Sequence, residues 1–218
     1  SRGLGDVYKR QQEHLAVRQK AGFFDISSFA KFRLEGKDAQ AVLQRIMAND
    51  VDVEPGRVIY GQWLNNSGGI VADLRVTRLT ETVFLIVTSA ASATRDLAWL
   101  KKNIPEGAHC IATDITASEA VFSIMGPTAR DIMQKISTAD FSNTEFPFGT
   151  AREIEVGMAL ARAHRISYVG ELGWELYIPT EMAAYLFEKI IGLDASVRPK
   201  LCGMHVLDSC RLEKAFRH

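Results

Sequence analysis

From Arg57 to Leu79 the chain spells out a β-hairpin. "RVIYGQWLN" alternates apolar and polar residues, "NNSGG" breaks the pattern, and "GGIVADLRVTRL" resumes it. Asn, Ser and Gly between two alternating runs are the sequence form of an antiparallel pair closed by a tight turn. A ribbon of this kind sends alternate side chains to opposite faces, so one face joins a core and the other meets solvent or a ligand. Further strand-like runs follow the same logic: "KFRLEG" (31–36), "VFLIVTS" (83–89), "CIATDIT" (110–116), "AVFSIMGP" (120–127), "AREIEVG" (151–157) and "MALARAHRISYVG" (158–170). Helical spacing appears between them. "DAQAVLQRIM" carries Ala41, Val42 and Ile46 behind Asp38 as N-cap, and "SATRDLAWLKKN" opens at Ser92. "TARDIMQKI" follows Pro127, and "TEMAAYLFEKII" is capped by Thr180 with Met182, Leu186 and Ile190 in one stripe. Glu13–Lys20 and "HVLDSCRLEKAF" complete the helical set. Strands grouped in hairpins and interrupted by helices predict an α+β fold, with antiparallel sheets flanked by helices.

Charge and composition narrow the function. The 26 basic and 26 acidic side chains cancel, so no net field recommends nucleic acid or an anionic membrane as partner. No apolar run is long enough to span a bilayer, and no secretory signal is present. Three scattered cysteines, Cys110, Cys202 and Cys210, form neither a disulfide framework nor a zinc site. They fit a reducing compartment: the cytoplasm, or the mitochondrial matrix in a eukaryote. "NSGGI" is not a dinucleotide fingerprint and no phosphate loop occurs, so a flavin site is not encoded here. His14, His109, His164 and His205 belong to no Ser, Cys or carboxylate constellation. Residues 1–11 lack periodicity and read as a non-native or disordered tail. "CRLEKAFRH" ends on helix formers without a stop signal, which reads as a piece of a longer protein.

The stretch "RISYVGELGWELYIP" predicts a second hairpin. Ile166–Val169 and Trp174–Ile178 are its strands and residues 170–173 its loop. That register sets Val169 opposite Trp174 and Tyr168 opposite Glu175. Val169, Trp174 and Leu176 then share an apolar face, and Tyr168 and Glu175 lie side by side on the other. A carboxylate on that face either lines a pocket or meets solvent; the residues alone leave both readings open.

"SYVGELGWELYIP" resembles a signature of the aminomethyltransferase superfamily, the glycine cleavage T-protein and its relatives. "EHLAVRQKAGFFDISSF", "VLQRIMANDV", "YGQWLNNSGGIVADLRVTRL", "IMGPTARDIM" and "GMHVLDSCRLEKAFRH" match in the family's order. "ISSFAKF", "FPFGTAREI" and "VGELGWELY" look most like the folate-binding portion of dimethylglycine and sarcosine dehydrogenases. The resemblance implies two interwoven domains around a folate channel: a discontinuous first domain (12–50 and 125–218) and a second (51–124). It also implies a preceding flavoprotein region, which would hold FAD, and a following barrel, neither of them in this chain.

The implied chemistry is transfer of a one-carbon unit to tetrahydrofolate. Flavin oxidation of an N-methyl group gives an iminium, and a folate nitrogen attacks its carbon to form methylene-tetrahydrofolate. Asp73 matches the acid beside the reacting nitrogens; many T-proteins carry a second acid where this chain has Ala72. Read without the resemblance, Asp73 is a strand-end aspartate serving the hairpin backbone. Glu175 matches the acid that grips the pterin, whose edge presents an N–H and an amino group. Tyr168 and Tyr60 match aromatic neighbours in the same site, although Tyr60 equally suits simple packing on the sheet. Arg211 matches a folate-site arginine, with Glu213 as a helix-face partner, and Glu171 is the rival acid, whose loop position suggests a structural or solvent-facing role. Two other functions stay open: the glycine cleavage T-protein itself, and a non-catalytic module that keeps the fold.

Overall fold

The computed structural model describes residues 4–216. In chain order it contains α1 (Leu4–Gln19), β1 (Gly22–Asp25), β2 (Ala30–Glu35), α2 (Ala39–Ile46), β3 (Val58–Leu64), β4 (Ile70–Thr80), β5 (Val83–Thr88), α3 (Ala93–Lys102) and β6 (Ile111–Asp114). Then follow β7 (Glu119–Met125), α4 (Ala129–Ile136), β8 (Ala151–Val156), β9 (Ala159–His164), β10 (Gly173–Pro179), α5 (Ala183–Ile191), β11 (Lys200–Leu201) and α6 (Met204–Glu213). The fold is α+β, as the hairpin pattern predicts. It divides into two compact units: the chain up to Ser27 together with Glu119 onward, and the insertion Ser28–Ser118.

The host unit is built on a sheet of order β11-β1-β7-β10-β9-β8 among the described residues. Strand β10 pairs with β7 along its full length, from Gly173↔Met125 to Pro179↔Glu119. Trp174, Leu176 and Ile178 alternate onto one face, where Ile132, Met133 and Ile136 of α4 and Leu186 and Ile190 of α5 cover them. Each large side chain so buried contributes about 1.5–3 kcal/mol. Phe141 and Phe146 meet the Trp174 ring edge-on at 5.5 and 6.1 Å. Gly126 follows β7 at φ +148°, and a Cβ there would lie 2.3 Å from the Lys20 carbonyl, so only glycine permits this crossing.

The inserted unit has sheet order β3-β4-β5-β2-β6. Phe32, Leu34, Trp63, Leu74, Val76, Phe84 and Ile86 form its core with Val42, Leu43 and Ile46 of α2 and Leu100 of α3. Trp63 stacks on Trp99 at 5.2 Å.

Several sequence expectations need correction. The chain leaves the host unit after Ser27 rather than near Asp50, because β2 pairs with β5 and β6 and so belongs to the inserted sheet. It returns at Glu119, a few residues before the expected Met125. The tail expected over 1–11 is helical from Leu4; residues 1–3 lie outside the described residues. Val7 and Tyr8 are exposed, so among the described side chains of this end of α1 these two apolar residues give a periodicity search no buried stripe. Asp38 makes no cap to its own helix; its carboxylate accepts from the His109 N–H at 2.7 Å. Thr180 opens a 3₁₀ turn, and α5 begins behind Met182 without a side-chain cap.

The second hairpin is also wider than expected. Strand β9 ends at His164, and Glu175 pairs with His164, not Tyr168. Residues 165–172 form a loop because Arg165 turns back toward β8. Its backbone exchanges hydrogen bonds with Thr150 and Gly149, and its guanidinium donates to the Phe146 carbonyl and to Asn143.

Candidate active site

Asp73 is placed by the first hairpin. Asn65 shapes the turn: its Oδ1 accepts from the Ser67 and Gly69 N–H groups at 3.0 and 2.8 Å, and Gly68 takes φ +77°. The register slips by one residue between Trp63 and Leu64, after which Trp63 faces Ala72 and Gln62 faces Asp73. Trp63, Ala72 and Leu74 point into the core, so Tyr60, Gln62 and Asp73 share the outer face. The position that is acidic in many T-proteins is therefore a core position here, and alanine fits it.

Both Asp73 oxygens have partners on β3. The Tyr60 hydroxyl donates to Oδ2 at 2.8 Å, and Gln62 Nε2 donates to Oδ1 at 3.3 Å. Asp73 is nevertheless exposed, and Tyr60 is 56 % exposed. The aspartate does not serve the turn backbone, because Asn65 does. Tyr60 reaches Asp73 rather than packing on the sheet. Gln62 was absent from the expected set, although the strand period places it two residues from Tyr60 on the same face.

Glu175 lies in the opposite environment. On β10 it projects from the face away from Trp174 and Leu176 and is 1 % exposed. The Tyr177 hydroxyl donates to its Oε2 at 2.9 Å. The phenol beside this carboxylate is thus Tyr177, two residues on along the same strand, and not Tyr168. The His164 ring stacks on Tyr177 at 4.3 Å, and the Arg162 guanidinium lies 5.2 Å from the centre of the same phenol ring. Arg162 also donates to His164 Nε2 at 3.2 Å and pairs with Glu119 at 2.9 Å. The sequence signal for these residues was the alternation Arg162-x-His164 facing Glu175-x-Tyr177.

Tyr168 sits in the 165–172 loop, its ring 6.3 Å from that of Phe216. Arg211, on α6, donates to Asp208 at 2.8 Å and to the Phe216 carbonyl at 3.0 Å, so Phe216 joins these two candidates. Glu213 does not pair with Arg211. It binds Arg18 at 2.9 Å and His14 at 3.0 Å, and the Arg18 bond holds its carboxyl below the usual range. Glu171 binds Arg18 at 3.0 Å, a structural role. Burial pushes the Cys202 thiol up to about 12 and the Cys210 thiol to about 11, which leaves them protonated and unreactive near neutral pH. No described helix is long and apolar enough to cross a membrane.

The GCVT N-terminal domain model matches residues 7–218. This chain belongs to the GCVT N-terminal domain family. The domain is 38 % identical over 207 residues to 4-methylaminobutanoate oxidase (formaldehyde-forming) of Paenarthrobacter nicotinovorans, covering 95 % of this chain and 25 % of that protein. It is 33 % identical over 217 residues to the mitochondrial dimethylglycine dehydrogenase of Rattus norvegicus, covering 99 % and 24 %. The crystal structure of glycine cleavage system aminomethyltransferase T from Bartonella henselae superposes with a TM-score of 0.82 at 30 % identity, covering 96 % of this domain and 55 % of that chain. The GCVT domain therefore spans about a quarter of the two oxidising relatives and about half of the aminomethyltransferase.

Proposed function

We propose that this GCVT domain binds tetrahydrofolate and joins it to a one-carbon unit, as part of a longer flavoenzyme that oxidises an N-methylated amine. The observation that carries this reading is Asp73: an exposed carboxylate held in place through both oxygens by Tyr60 and Gln62. Forming methylene-tetrahydrofolate from the iminium would join two folate nitrogens to its carbon and break the bond to the amine; of the two N–H protons lost, one would leave on the released demethylated amine and the other would need a base. A fixed, accessible carboxylate stabilises the approaching cation and accepts the proton. Holding both reactants close supplies much of the remaining benefit. Glu175 is the group for the pterin edge, accepting from its N–H and amino donors. Tyr168 supplies an aromatic surface. Arg211, oriented by Asp208, supplies a guanidinium for a folate carboxylate. The flavin belongs, on this reading, to another region of the complete enzyme. The names of the two oxidising relatives support the choice of an N-methylated amine as carbon source.

Calorimetric titration with tetrahydrofolate tests the reading. Saturable heat and a raised unfolding midpoint are expected; neither signal would leave a module that keeps the fold without the ligand. A second reading, aminomethyl transfer from a lipoyl carrier, is favoured by the superposition on aminomethyltransferase T. The complete protein would then form methylene-tetrahydrofolate from the aminomethylated carrier and not from an N-methylated amine.

A further inference from the structure

We propose that Arg130 and Arg165 form a binding site for a small oxyanion, a phosphate or a carboxylate group, at the position that the Asn143 side-chain oxygen occupies between them. The site lies within the host unit, beside Trp174, and does not depend on how Asp73 and Glu175 are read.

Arg130 belongs to α4, and Arg165 directly follows β9. Their guanidinium carbons lie 5.9 and 5.7 Å from the centre of the same Trp174 ring. Two like charges held this close repel, and an anion between them would remove the repulsion. A neutral amide stands there instead. Asn143 Oδ1 accepts from Arg130 Nη2 at 2.6 Å and from Arg165 Nη2 at 2.7 Å. The other bonds also go to neutral oxygens: Arg130 Nε donates to the Phe141 carbonyl at 2.8 Å, and Arg165 Nη1 to the Phe146 carbonyl. Among the described residues neither arginine has a carboxylate partner. Asp140, one residue before Phe141, accepts from the Ser142 N–H at 2.7 Å instead. Arg152 adds a third cation, 5.3 Å from the centre of the Phe146 ring.

Donors are in excess at this place. Arg165 Nε and Trp174 Nε1 are both buried without a partner. Burial, followed by the charge of Arg130, lowers the pKa of the Arg165 guanidinium below its ordinary value, and a bound anion would offset the second cause. Asn143 is able to give way, because it is exposed on the turn 143–145. An oxyanion in place of its amide oxygen converts two bonds to a neutral acceptor into charge-assisted ones, which are about twice as strong.

Thermal unfolding at neutral pH in sodium phosphate, sodium acetate and sodium chloride of matched ionic strength is the test. Phosphate or acetate should raise the native midpoint about 2–4 °C above that in chloride once the site is filled. A response to phosphate alone assigns a phosphate group, and a response to acetate alone a carboxylate. Asn143→Asp supplies the missing negative charge from the chain itself. Its midpoint in chloride should exceed the native one, and its response to the oxyanion should largely vanish. Arg130→Gln should lose the response as well. General exclusion of phosphate from protein surfaces would stabilise native and variant domains alike. Equal responses in the native domain and Asn143→Asp therefore overturn the inference. So does a native midpoint that is the same in all three salts, even if Asn143→Asp is more stable.

Discussion

The two acids singled out, one in each unit, are built in opposite ways. Asp73 stands exposed on the outer face of a hairpin and is steered by two side chains of the neighbouring strand. Glu175 is buried on a central strand and is steered by a phenol that three further side chains hold in place. An exposed carboxylate can exchange a proton with a reacting group at little cost. A buried one is better suited to recognition, because taking a carboxylate out of water is costly unless a partner donates hydrogen bonds to it. The contrast agrees with the proposal that gives chemistry to the first acid and recognition to the second.

The sharpest way to break that contrast is Asp73→Ala. Methylene-tetrahydrofolate formation by the full-length enzyme should fall about 10²–10⁴-fold, the range for a positioned general acid or base. Folate affinity should hold, and stability should change by no more than about 0.5 kcal/mol, as for other exposed sites. Unaltered product yield would shift the proton to a different group. The mirror-image result is expected for Glu175→Gln: folate binding weaker by about 1–3 kcal/mol, the cost of losing a charged hydrogen bond, with transfer at saturating folate largely kept. If the glutamine variant binds normally but turns over slowly, the two roles are reversed.

A third acid supplies the baseline. Asp114 accepts from the Thr116 N–H at 2.8 Å, and the Thr116 hydroxyl followed by that N–H lowers its carboxyl below the ordinary value of 3.8. A carboxyl whose pKa is lower folded than unfolded adds stability that is complete above the unfolded value. That stability drains away as pH falls through the folded one. Thr116→Val should therefore lower the unfolding midpoint at neutral pH, and the gap should narrow in acid without closing, because the Thr116 hydroxyl also accepts from the Lys31 N–H at 3.0 Å. A gap that widens toward low pH would contradict this sign. The effect is the smallest of the set because Asp114 is exposed.

The same two acids measure how far the sequence could be read. The Asp73 hairpin was legible because alternation and "NNSGG" determine both strands and the turn between them. Its one-residue slip was not, since a bulge leaves no compositional mark. The Glu175 strand was legible too, but its partner was not. Ile166–Val169 alternates plausibly, and only the long-range bonds of Arg165 to Thr150, Phe146 and Asn143 pull that segment into a loop. Pairing a strand with its nearest neighbour in sequence therefore chose Tyr168 over Tyr177, although the period-two rule alone names Tyr177. The division after Ser27 was hidden for a similar reason: β2 resembles any other edge of the pattern until its partners, β5 and β6, are known.

That division has a consequence for how the polypeptide acquires its shape. Strand β1 lies between β7 and β11, whose partner residues come about a hundred or more positions later. Every contact within Ser28–Ser118 spans less chain than that. Low contact order speeds folding. On the ribosome the insertion has all its material before the host sheet can close, so β1 must wait as an unpaired edge. Pulse-labelled hydrogen exchange should show β2–β6 amides protected ahead of those in β1 and β7, and simultaneous protection would mean that the two sheets consolidate as one cooperative event.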